Sequence, residues 1–384
     1  MQETRGTRHL HWFISGLLLL GLVPAFLLLH LPFVFAWGTF VGAFFGFTLQ
    51  SLLLALLLYL VGFPRRVTLA PMLRRYLDQK ARIPALVAFI SLMIWEFGII
   101  SGLVLTILTI ALLELFDRSG GDPQTLQRWT SALAIPGVYL FLGLILVFAY
   151  NDVIAAARFT GAYDSFFQRI DSWLLLKGSV VEISHYMASL SPRWLEWSEL
   201  IYYRMFPQIG AGLVLTALYA GKKEGLRFVG TILTAYFLAL ALFALLPSMG
   251  PFYLSPLSDP NSFTAVMQRS FLEKAGALWQ HKPIQIINTD YYIAFPCMHV
   301  AQPLIVLWFL RRWRRIAIVL LVFDLLMVPS ILFLEWHYVV DLLAGVVVAA
   351  VAILLNRPAA LIGPGNVPPA RKSLELPSPV EVHA

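Results

Sequence analysis

Two short segments late in the sequence hold the residue types from which transfer of an anionic group could be built. The first is FPCMHV, Phe295 to Val300, and the second is EWHYVVD, Glu335 to Asp341. In the second, His337 and Asp341 stand four residues apart, so a helix sets both side chains on one face with Cβ atoms ~6 Å apart. A carboxylate bonded to one ring nitrogen fixes the tautomer and leaves the other nitrogen's lone pair outward, as a base or a nucleophile. The same spacing at a helix start also describes a purely structural pair. In the first segment Pro296 marks a helix opening and places His299 in the first turn. The first-turn amides of Cys297 and Met298 then carry partial positive charge and unpaired N–H groups, a cradle suited to phosphate. Two histidines, a carboxylate and an anion hole together suffice for phosphoryl transfer.

The elements that position these residues must be membrane helices. Of 384 residues, 59% are hydrophobic and 13% charged, too apolar to be hidden in a water-soluble core. Continuous Leu-rich runs exclude a barrel, whose strands alternate in polarity. The single cysteine, Cys297, excludes an intramolecular disulfide or a thiolate cluster. The net charge of +7 sits in short loops beside apolar runs, where it retains loops in the cytoplasm rather than binding nucleic acid. The sequence therefore predicts an all-α, polytopic bundle of about nine spans. These lie near 11–29, 36–62, 84–113, 131–150, 204–220, 228–247, 297–310, 316–334 and 338–355.

Four regions follow: an accessory membrane region (1–150), an amphipathic interfacial segment (151–203), a catalytic membrane core (204–356) and a disordered cytoplasmic tail (357–384). Basic loops at Arg65 to Arg82, Lys222 to Arg227 and Arg311 to Arg315 are placed in the cytoplasm. Alternation then puts 248–296 and both histidines at the extracytoplasmic side. Strict alternation fails upstream unless 84–113, interrupted by Glu96, forms a helical hairpin. Asp324, in mid-span, is expected to meet a polar partner on another helix.

With these motifs in view, the chain resembles the type-2 phosphatidic acid phosphatase superfamily: FPCMH stands for its Pro-Ser-Gly-His motif and HYVVDLLAG for its final His-x-x-x-Asp motif. It looks most similar to the branch of inositol phosphorylceramide and sphingomyelin synthases, over about residues 204–355. The resemblance implies that His337 attacks phosphorus, Asp341 orients it and His299 protonates the departing oxygen, with no metal or cofactor. It also implies a phospholipid or sphingolipid substrate, with inositol or another alcohol as possible acceptor. The superfamily's phosphate-binding Lys and Arg have no counterpart between Leu245 and Pro296, and Ile331 stands where it has an Arg. The synthase branch tolerates that loss, leaving helix amides, His299 or loop cations such as Arg269, Lys274 and Lys282 to meet the charge.

Two other classes are weighed. A diiron membrane oxygenase needs clustered histidines, whereas those outside the two motifs are scattered. A lipid transporter would use the histidines as pH sensors, yet no repeated pair of broken spans is visible.

Overall fold

The computed structural model describes residues 123–357, apart from 159–160, 192, 204, 256, 258, 280–283 and 287–293, together with 33–35 and parts of 46–58. The expected spans at 11–29 and 84–113, the loop from Arg65 to Arg82, Glu96 and the tail beyond Arg357 lie outside the described residues.

Ten helices follow residue 122: α1 (Pro123–Arg158), α2 (Asp164–Leu174), α3 (Val180–Leu190), α4 (Arg193–Tyr202), α5 (Pro207–Ala220), α6 (Lys222–Leu245), α7 (Phe263–Trp279), α8 (Met298–Leu310), α9 (Arg314–Phe333) and α10 (Val339–Leu355). The architecture is all-α. Among the described residues the exception is a parallel ladder of three residues on each side, β1 (Phe33–Phe35) with β2 (Ile284–Ile286).

Three segments, Ser131–Asp152, Lys222–Leu245 and Arg314–Phe333, are long and apolar enough to cross a membrane. Helices α8 and α10 are equally apolar but shorter, at 13 and 17 residues, which is about 20 and 26 Å of helix against ~30 Å of hydrocarbon. On α9, Val322, Leu325 and Leu326 point outward and are more than half exposed. Among the described residues that outward face is apolar, as suits a helix against lipid.

The core sits where α8 is enclosed by α5, α6, α9 and α10. Phe228, Ile232, Ala235, Ala239 and Phe243 repeat at helical spacing along α6 and bury against Ala301, Ile305 and Phe309 of α8 and Val348, Ala349 and Ala352 of α10. Small residues let the helices approach closely, the usual packing device where water supplies no driving force between helices. Gly345 is one such close approach, because a Cβ there would collide with the Cys297 carbonyl. Asp324 meets Gln208 Nε2 of α5 at 2.9 Å, the interhelical polar contact expected of it.

The segment 151–203 holds α2, α3 and α4. Trp173, Trp194 and Trp197 are exposed, in keeping with an interfacial position. Its inner side belongs to the bundle: α2 packs on the start of α10, and α4 on α9.

Candidate active site

The two histidine motifs meet. His299 stands in the first turn of α8, and His337 lies two residues before α10. His337 Nε2 is 3.3 Å from His299 Nδ1. His337 is 3% exposed, and its Nδ1 lies 2.7 Å from the Ala294 carbonyl. A carbonyl only accepts, so His337 Nδ1 carries the hydrogen and Nε2 of the neutral ring presents a lone pair. By the same logic His299 Nδ1 donates to that lone pair. His299 Nε2 is then buried without a hydrogen-bond partner.

Asp341 is brought to this centre, although its contact differs from the expected one. Its Oδ2 is 3.5 Å from His337 Nδ1, longer than a good hydrogen bond, and accepts from the Tyr338 amide at 2.8 Å. The Ala294 carbonyl therefore makes the short contact that orients the ring. Asp341 caps its own helix and lies beside the imidazole, with Oδ1 buried and unpaired.

The structure corrects the expectation for Cys297. Its amide donates to the Asp341 carbonyl at 3.0 Å and is not offered to an anion. This bond joins the starts of α8 and α10 and so registers His299 against His337. Met298, at the first position of α8, forms no hydrogen bond through its amide among the described residues, so it remains a candidate donor. Cys297, His299 and His337 each place a possible ligand atom within 4.8 Å of the others, the one group of this kind among the described residues.

Residues absent from the sequence expectation complete the surroundings. Tyr202, at the end of α4, stacks on His299 with ring centroids 4.2 Å apart, and Phe206 meets the same ring edge-on. Asp171 of α2 accepts from the amides of Val339 and Val340 at 2.8 and 3.1 Å. It thereby satisfies orphan donors at the start of α10, where negative charge also opposes the helix dipole. Asp164, at the head of α2, accepts from Ser248 Oγ, the amides of Met249 and Gly250, and the Tyr338 hydroxyl. Burial raises both carboxyls above the usual carboxylate range, and these hydrogen bonds offset only part of that rise. Burial and the adjacent Asp164 charge raise Tyr338, which stays protonated and donating. The amphipathic period of α2 was the available signal, since Asp164, Phe167 and Asp171 share its buried face.

The loop before FPCMH covers the connection between α9 and α10. Gln268 of α7 donates to the Leu334 carbonyl at 2.8 Å, and the Phe252 amide donates to the Glu335 carbonyl at 3.1 Å. Of the loop cations considered for phosphate, Arg269 bonds the Pro260 carbonyl at 2.6 Å, Lys274 lies on α7, and Lys282 is outside the described residues.

The model of the PAP2 superfamily matches residues 166–355, a span that holds α3 to α10, most of α2 and both histidine motifs. Over these residues the chain is similar to the PAP2 superfamily. The protein is accordingly a membrane enzyme, a phosphatase or phosphotransferase of the type that acts on lipid phosphates. No curated protein and no solved structure matches the chain.

Proposed function

We propose that the enzyme moves a phosphoryl group, or a phosphate-bearing headgroup, from a phospholipid or sphingolipid to an alcohol through a phosphohistidine. The observation that carries this reading is the tautomer of His337: with Nδ1–H held by the Ala294 carbonyl, Nε2 is a buried, aimed lone pair. In the first step a bond forms between His337 Nε2 and phosphorus, the bond from phosphorus to the leaving oxygen breaks, and His299 gives that oxygen a proton. In the second, the acceptor hydroxyl attacks phosphorus, its proton passes to His299, and the nitrogen–phosphorus bond breaks. Water in place of the alcohol gives hydrolysis.

An attacking nitrogen sits about 3 Å from phosphorus on the far side from the leaving oxygen. The 3.3 Å between the two ring nitrogens leaves no space for that group, so substrate must part them. The Met298 amide, at a helix N-terminus, is the backbone donor best placed to meet phosphate charge. The basic residues Arg227, Arg311 and Arg357 gather at the opposite end of the bundle, which supports an extracytoplasmic site within a protein of about nine membrane spans.

The deciding experiment incubates purified protein with labelled phospholipid, alone and with inositol, glycerol or ceramide. Label on an alcohol establishes transfer. Label on water under every condition establishes the phosphatase instead, and turnover surviving in His337→Ala overturns the phosphohistidine.

A further inference from the structure

A cavity of about 290 Å³ opens at the end of the bundle remote from the histidines. That size lies at the lower edge of the roughly 300–1,000 Å³ typical of small-molecule sites. Its walls come from three helices: Arg227 from α6, Trp308 and Phe309 from the end of α8, and Asn356 and Arg357 from the end of α10, with Arg311 in the turn after α8. Trp308 follows His299 by nine residues of helix, about 14 Å along the axis, so this cavity and the histidine centre are separate.

The charge balance there is strongly positive. Arg227 pairs with Glu224 at 2.7 Å. Arg311 stacks on Trp308 with its guanidinium carbon 3.6 Å from the ring centroid and donates to the Trp308 carbonyl. Arg357 approaches the same ring at 5.7 Å. Among the described residues neither Arg311 nor Arg357 has an acidic partner within ion-pair distance. Burial, with crowding by Arg227, Arg312 and Arg357, pushes the Arg311 guanidinium below its usual range. Like charges held together around a cavity are stabilised by a bound anion. A guanidinium carbon held over an indole, with one nitrogen bonded to the Trp308 carbonyl, leaves further N–H groups able to meet phosphate oxygens.

We infer that this cavity binds a phosphate-bearing anion, at a site distinct from the catalytic histidines. Its location at the ends of apolar helices suits the headgroup of an anionic phospholipid, while a soluble phosphate would meet the same donors.

The test titrates purified full-length protein with phosphatidylglycerol, with phosphatidylcholine and with inorganic phosphate, and counts bound ligand by native mass spectrometry. Variants are Arg311→Gln with Arg357→Gln, Arg357→Gln alone, and Arg314→Gln with Arg315→Gln, which removes as much charge from the start of α9 without touching the cavity lining. Saturable binding of phosphatidylglycerol that weakens at least roughly tenfold in the first variant, several-fold in the second and not in the third is the expected result. Binding of inorganic phosphate with the same pattern supports the site and assigns it a soluble ligand. Binding unchanged in both Arg311 and Arg357 variants, equal weakening in the Arg314 and Arg315 variant, or no saturable binding of either anion overturns the inference. Turnover of a short-chain soluble substrate by the double variant reports that it is folded, and Arg357→Gln, at the exposed end of α10, decides the matter if the double variant is not.

Discussion

His337 Nε2 and His299 Nδ1 lie 3.3 Å apart, so the site is closed by a hydrogen bond between the two imidazoles to which the proposed mechanism gives the attack and the proton transfer. His337→Ala removes the attacking atom and should reduce lipid turnover below detection. His299→Ala should cost about 10²–10⁴-fold on lipid esters, whose alkoxide leaving groups need a proton. The loss should nearly vanish with a nitrophenyl phosphate ester, whose leaving group departs unprotonated. Equal losses on both substrate types would remove His299 from the acid role.

Asp171 holds the amides of Val339 and Val340, just beyond His337. Asp171→Ala leaves these donors unpaired at about 1–3 kcal/mol, and should lower both the thermal midpoint and kcat, with KM little changed. Asp171→Asn, which keeps one acceptor, should fall between. An Ala variant with unchanged kcat would show that the clamp does not position His337.

Glu335 is fully buried, and burial lifts its carboxyl from 4.5 to about 7. Between those values the folded protein holds a proton that the unfolded chain has released. The contribution is therefore fully present below pH 4.5 and lost as pH rises through 7, roughly 3 kcal/mol in all. His185 Nε2, 3.6 Å from Glu335 Oε1, tempers it when protonated. Glu335→Gln should stabilise the protein at pH 8 and flatten its midpoint between pH 5 and 8; parallel wild-type and variant curves would dispose of this account.

At Gly345 the start of one motif-bearing helix packs against α10 with no room to spare, and an added Cβ would press on the Cys297 carbonyl. Gly345→Ala should thus separate His299 from His337 and reduce turnover at least tenfold, a shift of order 1 Å being enough to do so. Full activity in this variant would mean that the helix spacing at Cys297 is not critical.

The phosphohistidine route uses no metal ion, so treatment with EDTA followed by desalting should leave turnover unchanged. Recovery of a chelation-induced loss by added zinc would instead assign a catalytic metal to Cys297, His299 and His337.

The sequence carried the site's central triad because His299, His337 and Asp341 lie in short segments at helix starts, where local spacing fixes direction. It also carried the apolar helices and the polar partner of Asp324. The roles of Ala294, Asp164, Asp171 and Tyr202 were not legible, for two reasons. Ala294 acts through its carbonyl, which no side chain announces. The other three reach the site from helices far earlier in the chain, and an aspartate among tryptophans reads equally well as an interfacial charge.

Asp164 closes a ring of hydrogen bonds with Ser248, Met249, Gly250 and Tyr338, and it lies two residues ahead of Phe166, where the superfamily match starts. The half that carries the two histidine motifs is therefore not portable at that boundary. A fragment excised at Phe166 and grafted onto another membrane anchor would arrive without the carboxylate that fastens its first loop to its last helix. Any transplant must carry α2 whole.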